Sequence, residues 1–155
     1  MLAMKKDIII VDDEKDIREL ISGILIDQGF ETRLAKDIDS LKIELIKRVP
    51  SLILLDVWLN KRDADGIDIL KVLKKSYPYI PVIMISGHGT IDMAINALKI
   101  GAFDFIEKPF DSNFLIMSIN RAIEISDLKK QNEKLLKDNN SISTFLGKSQ
   151  IASNI

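Results

Sequence analysis

Five short apolar runs, each followed by a stretch of helical period, decide what this chain can fold into. The runs are residues 8–11, 30–35, 52–55, 82–85 and 103–106. Three are continuously apolar and several are rich in β-branched residues, the pattern of strands covered on both faces. The stretches between them are amphipathic. Ile17, Leu20, Ile21, Ile24 and Leu25 form one stripe, with Gly29 placed to stop the helix. Ile38, Leu41, Leu45 and Ile46 mark a second helix that ends before Pro50. Ile67, Leu70 and Leu73 mark a third, and Ile91, Ala94, Ile95 and Leu98 a fourth that ends near Gly101. A fifth starts at Asp111 or Ser112, both good N-caps, and carries Leu115, Ile116, Ile119 and Ile123. Strand and helix therefore alternate five times, which requires a parallel sheet with helices on both faces. The length favours an α/β, flavodoxin-like (βα)5 fold: a three-layer, doubly wound parallel sheet of order 2-1-3-4-5, with an extended C-terminal helix.

In such a sheet ligands bind at the carboxyl ends of the strands, beside the topological switch point. The first strand runs into Asp12-Asp13-Glu14, the third ends in Asp56, the fourth in Ser86, and Lys108-Pro109 follows the fifth. A charge after an apolar strand is ordinarily a solvated loop residue. Four strands delivering such groups to the one ligand-binding edge call for a site. Clustered carboxylates repel and rise in pKa unless a cation relieves them. Mg²⁺ takes carboxylate, water and phosphate oxygens. A carboxylate can also accept a phosphoryl group as a nucleophile, helped by metal and ammonium charge. Ser86 would donate a hydrogen bond to the new phosphoryl oxygens.

The ordered set Val11-Asp12-Asp13-Glu14, Leu54-Leu55-Asp56, Asp65-Gly66, Ile85-Ser86-Gly87, Gly101-Ala102-Phe103-Asp104-Phe105 and Lys108-Pro109-Phe110 resembles the receiver domains of two-component response regulators. The resemblance spans roughly residues 5 to 126. It implies Asp56 as phosphoacceptor, Asp12 and Asp13 as the acidic metal site, and the backbone carbonyl of Trp58 as a further Mg²⁺ ligand. It also implies Lys108 as the phosphate-binding lysine, Ser86 as the switch hydroxyl, Phe105 as the switch aromatic, and a cis Lys108–Pro109 bond. Three departures stand out. The loop from Val57 to Ala64 lacks the usual Met-Pro and is about two residues longer than the family average. Phe105 has no phenol, so its movement must be driven by ring packing. Ser86 replaces the commoner threonine. Trp58 and His88 each lie two residues past a key position, Asp56 and Ser86, and bulk there is expected to lengthen the phosphorylated lifetime.

Beyond the receiver, residues 127–142 read as a helical linker without Pro or Gly. Leu128, Leu135 and Ile142 recur at heptad spacing, with Ile125, Asn132 and Asn139 as the companion row. A short dimeric coiled coil with register-setting Asn and a solvated linker helix account for this equally well. Gly147-Lys148-Ser149 lacks the upstream glycine of a phosphate loop, since position 142 is Ile. Residues 145–150, Phe-Leu-Gly-Lys-Ser-Gln, instead resemble the opening of the AAA+ domain of sigma-54-dependent regulators. With Asp56-Val57-Trp58-Leu59 and Ser86-Gly87-His88-Gly89, they resemble the NtrC family and its NtrX-like branch. Residues 143–155 are accordingly expected to begin a downstream domain that the chain does not contain.

Composition is compatible with all of this. At 155 residues, with 46% hydrophobic and 29% charged, the chain suits one globular domain with an appendage. A net charge of −1 gives no footprint for nucleic acid, and no run reaches the roughly 20 apolar residues of a membrane helix. The absence of cysteine and of a signal-peptide h-region points to a cytoplasmic protein. The expectation is a phosphorylation-dependent switch rather than an enzyme. A histidine kinase would phosphorylate Asp56, and the face made by the fourth helix, fifth strand and fifth helix would change shape. Homodimerisation through that face or the C-terminal helix would control a transcription-regulator output. Two rivals are a non-phosphorylated receiver-like interaction module and a Mg²⁺-dependent phosphatase of the haloacid-dehalogenase type. The first usually lacks an acidic residue or the lysine, and the second would carry Asp-x-Asp after strand one.

Overall fold

The five apolar runs form one parallel sheet, ordered β2-β1-β3-β4-β5. Its strands are β1 (Asp7–Val11), β2 (Glu31–Ala35), β3 (Leu52–Asp56), β4 (Val82–Ser86) and β5 (Asp104–Glu107). The helices are α1 (Lys15–Asp27), α2 (Ile38–Lys47), α3 (Asp65–Ser76), α4 (Ile91–Ile100) and α5 (Ser112–Ser153). The computed structural model describes residues 5–59 and 65–153, with side chains described up to 136 and that of 65 excepted. The long-loop residues 60–64 and the side chains of Asn139 and Ile142, on which two of the sequence expectations rest, lie outside the described residues.

The central strands β1, β3 and β4 are buried along their whole length, and their side chains alternate between two cores. Ile9, Val11, Ile53, Leu55 and Met84 pack with Leu41 and Leu45 of α2, Leu70 and Leu73 of α3 and Ala97 of α4. Ile8, Ile10, Leu52, Leu54 and Ile83 pack on the other side with Ile21 and Leu25 of α1 and Leu115 and Ile119 of α5. This is the three-layer arrangement that right-handed crossovers demand.

Local signals fix the ends of the helices. Gly29 follows α1 with φ of 91° and Gly101 closes α4 with φ of 128°, conformations that L side chains avoid. Asp37 and Ser40 form a capping box on α2, Thr90 caps α4, and the Asp111 carboxylate accepts from the Asn113 amide at the start of α5. β5 is fastened to α5 by Ser118, whose hydroxyl donates to Asp104 at 2.8 Å, while the other Asp104 oxygen accepts from the Phe105 amide at 2.8 Å.

The chain divides into two compact units, Met1–Ile123 and Glu124–Ile155. The first holds the sheet and its cores. In the second, Ile125, Leu128, Leu135 and Leu136 are exposed. Among the described residues no helix is long and apolar enough to cross a membrane.

Candidate phosphoacceptor and metal site

Parallel register places the ends of β1, β3 and β4 beside one another, since Val11 pairs with Leu55 and Asp56 with Ile85. The next residues outward therefore converge. Asp12, Asp13 and Asp56 each offer a carboxylate oxygen, and these oxygens lie within 4.8 Å of one another. Asp12 and Asp56 are buried and Asp13 is half-buried. Lys108 reaches in from the turn after β5, its Nζ 3.0 Å from Asp12 and 3.9 Å from Asp56. The peptide bond between Lys108 and Pro109 is cis.

Backbone groups hold the carboxylates in place. The Glu14 amide donates to Asp12 Oδ1 at 2.9 Å, and the Trp58 amide donates to Asp56 Oδ1 at 3.3 Å. Arg18, one turn into α1, donates to the Asp12 carbonyl at 2.7 Å and braces the β1–α1 loop. Gly66 at the head of α3 lies so close to β3 that a Cβ there would come within 2.3 Å of the Asp56 carbonyl oxygen.

Burial pushes the Asp56 carboxyl up to about 6, and the neighbouring Asp12 and Asp13 charges push the same way against Lys108 and the Trp58 amide. The pocket thus disfavours the charged form of Asp56. Three hard oxygen donors at this spacing fit a small divalent cation such as Mg²⁺.

A cavity of about 530 Å³ opens over Asp56, lined by Glu14, Ile17, Trp58, Gly87, His88 and Lys108. Trp58 is partly buried against the core under α2–α4, and its indole N–H is buried with no hydrogen-bond partner among the described residues. His88 is exposed on the β4–α4 loop. Ser86 is fully buried; its hydroxyl accepts from the His88 amide at 3.1 Å and its carbonyl from the Lys108 amide at 2.8 Å. Phe105 packs partly buried against the same core as Trp58. The structure thus clusters Asp12, Asp13 and Asp56 and sets Lys108 against Asp12 and Asp56, with Trp58 and His88 on the cavity wall. It places Phe105 behind the β4–α4 loop, outside that lining. Sequence reasoning passed over the bracing by Arg18 and the contact of Ile17. The only signal for either was position in the first turn of α1.

A carboxylate trio and a lysine at the carboxyl edge of a 2-1-3-4-5 parallel sheet define a receiver domain. Residues 8–120 match the response regulator receiver domain family, and the chain belongs to it. It is similar to the putative response regulator NtrX-like of Rickettsia bellii, 50% identical over 127 residues, which are 81% of this chain and 26% of that protein. It is similar to the receiver domain of NtrX from Brucella abortus in its crystal structure, 50% identical with a TM-score of 0.71, over 76% of this chain and 98% of that one. A solution structure of the beryllofluoride-activated NtrC4 receiver domain dimer is 33% identical with a TM-score of 0.72, over 77% of this chain and 98% of that one. The chain spans about a quarter to a third of the length of the curated relatives it matches.

Proposed function

We propose that this chain switches a two-component response regulator by accepting a phosphoryl group on Asp56 from a sensor histidine kinase. The observation that carries this reading is the convergence of Asp12, Asp13, Asp56 and Lys108 at the foot of a cavity that Asp56 and Lys108 line. An Asp56 carboxylate oxygen attacks phosphorus, the P–N bond of the phosphohistidine breaks, and the imidazole keeps the electron pair. Asp12, Asp13, Asp56 and the Trp58 carbonyl would hold Mg²⁺, which when bound neutralises carboxylate and phosphoryl charge. The Lys108 ammonium turns from Asp12 toward the phosphoryl oxygens. The Ser86 hydroxyl gives up the His88 amide to donate to them, and Phe105 repacks behind it. Trp58 and His88 limit the approach of water, so Trp58→Ala and His88→Ala should each shorten the phosphorylated lifetime. Unchanged autodephosphorylation in both would remove that role.

The chain acts as an acceptor with slow self-hydrolysis, without turnover of a separate substrate. Exposed Ile91, Ile95 and Leu98 on α4 and Met117 on α5 support a homodimer through the α4–β5–α5 face. Leu128 and Leu135 of the 127–142 linker give the C-terminal helix a second, smaller contribution. With residues 143–155 opening a sigma-54 AAA+ domain, the output is transcriptional control in the cytoplasm.

Acetyl phosphate labelling tests the reading. Mg²⁺-dependent labelling that disappears in Asp56→Asn is expected. No labelling of the parent chain would favour a non-phosphorylated interaction module, and catalytic release of phosphate from a generic ester would favour a phosphatase. Trp58 fluorescence should respond first to Mg²⁺ and then to beryllofluoride. Asp56→Asn should lose the second response.

A further inference from the structure

Gly89, in the loop between β4 and α4, stands where the two switch side chains meet. A Cβ built on it would lie 2.6 Å from Cε1 and 2.7 Å from Cζ of Phe105, and 3.4 Å from Cβ of Ser86. Carbon atoms that close overlap, so the ring edge occupies the volume that any other residue's Cβ would need. The backbone does not ask for glycine here: positive φ occurs at Gly29 and Gly101, not at Gly89. Its neighbour Gly87 shows that bare Cα atoms in this loop are not all crowded, since a Cβ there would meet only Lys108 Cδ, at 3.9 Å. A side chain at position 89 therefore fits only if the Phe105 ring moves out of this place.

The same loop is tied to Ser86. The His88 amide donates to the Ser86 hydroxyl at 3.1 Å, one residue before Gly89. The Ser86 backbone itself is held by the Lys108 amide, so the hydroxyl and the loop are the parts free to change. When the hydroxyl leaves the His88 amide, the tether on the loop that seats the Phe105 ring is lost.

We propose that Gly89 is the positioning residue that couples Ser86 to Phe105: its bare Cα seats the ring in the unphosphorylated arrangement, and a methyl group there releases it. This rests on the reading of Ser86 and Phe105 as the switch pair. It adds a third member that carries no functional group of its own. Filling the seat removes the resting arrangement's advantage, so the protein meets a phosphoryl mimic already partly switched. A ligand that had bound a state populated at about a tenth gains up to about tenfold in apparent affinity when that state becomes dominant.

The test is a double-mutant cycle on the full chain: the parent, Gly89→Ala, Phe105→Ala and the pair. Beryllofluoride affinity is read in Mg²⁺ by Trp58 fluorescence, and folding is checked by urea titration. Gly89→Ala should tighten beryllofluoride binding several-fold in the parent and have no effect once Phe105 is Ala, because the clash is with the ring. Unchanged or weaker binding in Gly89→Ala would overturn the proposal. So would a tightening that persists undiminished without the ring, which would locate the effect in the loop backbone. Should Gly89→Ala fail to fold, refolding by addition of Phe105→Leu supports the ring as the obstacle, and failure of that rescue refutes it. If the parent chain itself shows no Mg²⁺-dependent response to beryllofluoride, the phosphoacceptor reading falls and this coupling falls with it.

Discussion

The carboxyl of Asp56 ends a buried strand, and its pKa of about 6 against an ordinary 3.8 has a direct thermodynamic meaning. Between those two values the folded chain binds more protons than the unfolded one, so stability falls as pH rises through that window. Above it the full penalty for the charged form is present, on the order of 2–3 kcal/mol before allowance for solvent screening. Asp56→Asn removes the charge and should raise the urea midpoint of metal-free protein at pH 7.5, with little gain near pH 4. Mg²⁺ should reduce the difference by stabilising the parent chain more than the variant, which keeps only Asp12 and Asp13 as carboxylate ligands. A midpoint that ignores both the substitution and pH would show that the acidic cluster is not under electrostatic stress. At this scale the sequence was informative for residues that follow an apolar strand directly: Asp12, Asp13, Asp56, Ser86 and Lys108. It was silent on Arg18 and on the role of Gly89. Their contacts depend on how closely a loop and a helix approach the sheet, which linear spacing does not encode.

Among the elements, α4 shows how far periodicity reaches. Ile91, Ala94, Ile95 and Leu98 share a stripe and read as the buried face, yet Ile91 is 80% exposed, Ile95 46% and Leu98 47%. The helix turns Ala97 inward instead, with Met93 and Ile100 beside it. Period tells which residues share a face, while closeness of approach selects the face, and a small Ala97 allows the closer packing. The same happens at Ile46 of α2, 84% exposed although it falls on the apolar stripe. α3 followed the pattern, with Ile67, Leu70 and Leu73 all buried. Its approach to the site depends on Gly66, where a Cβ would lie 2.7 Å from the Val57 Cα as well as against the Asp56 carbonyl. Gly66→Ala must push α3 from the end of β3, at a cost on the order of 3 kcal/mol. It should weaken Mg²⁺ binding too, because Asp56 and Trp58 move with that backbone. Gly23, inside α1 with nothing within 4 Å of its Cβ position, provides the contrast. Gly23→Ala should stabilise by about 1 kcal/mol. Equal effects from the two in chemical denaturation would contradict the packing argument at Gly66.

At the scale of the whole molecule, the proposed homodimer has two apolar surfaces to draw on. On α4, Ile91, Ile95 and Leu98 form an exposed row on a helix already fixed to the sheet, so little ordering entropy is lost when a partner covers it. In the unit Glu124–Ile155 the heptad row offers Leu128 at 56% and Leu135 at 61% exposure, with Asn132 in the companion row. A coiled coil of fewer than three heptads is marginal, and a buried Asn sets register at a cost in stability. The α4 row should therefore dominate. Ile95→Glu with Leu98→Glu replaces two large side chains, each worth about 1.5 kcal/mol or more when covered, by like charges facing their own copies across a two-fold axis. The dimer constant of the beryllofluoride-treated chain should weaken at least about a hundredfold, since about 3 kcal/mol is two decades. Leu128→Glu with Leu135→Glu should weaken it by roughly tenfold or less on the same scale. Sedimentation over a concentration series distinguishes the two pairs, and a urea titration of each variant checks that it folds, since Ile95 and Leu98 are about half exposed in the single chain. The opposite ranking would assign the dimer to the C-terminal helix and leave the α4 row for a different partner.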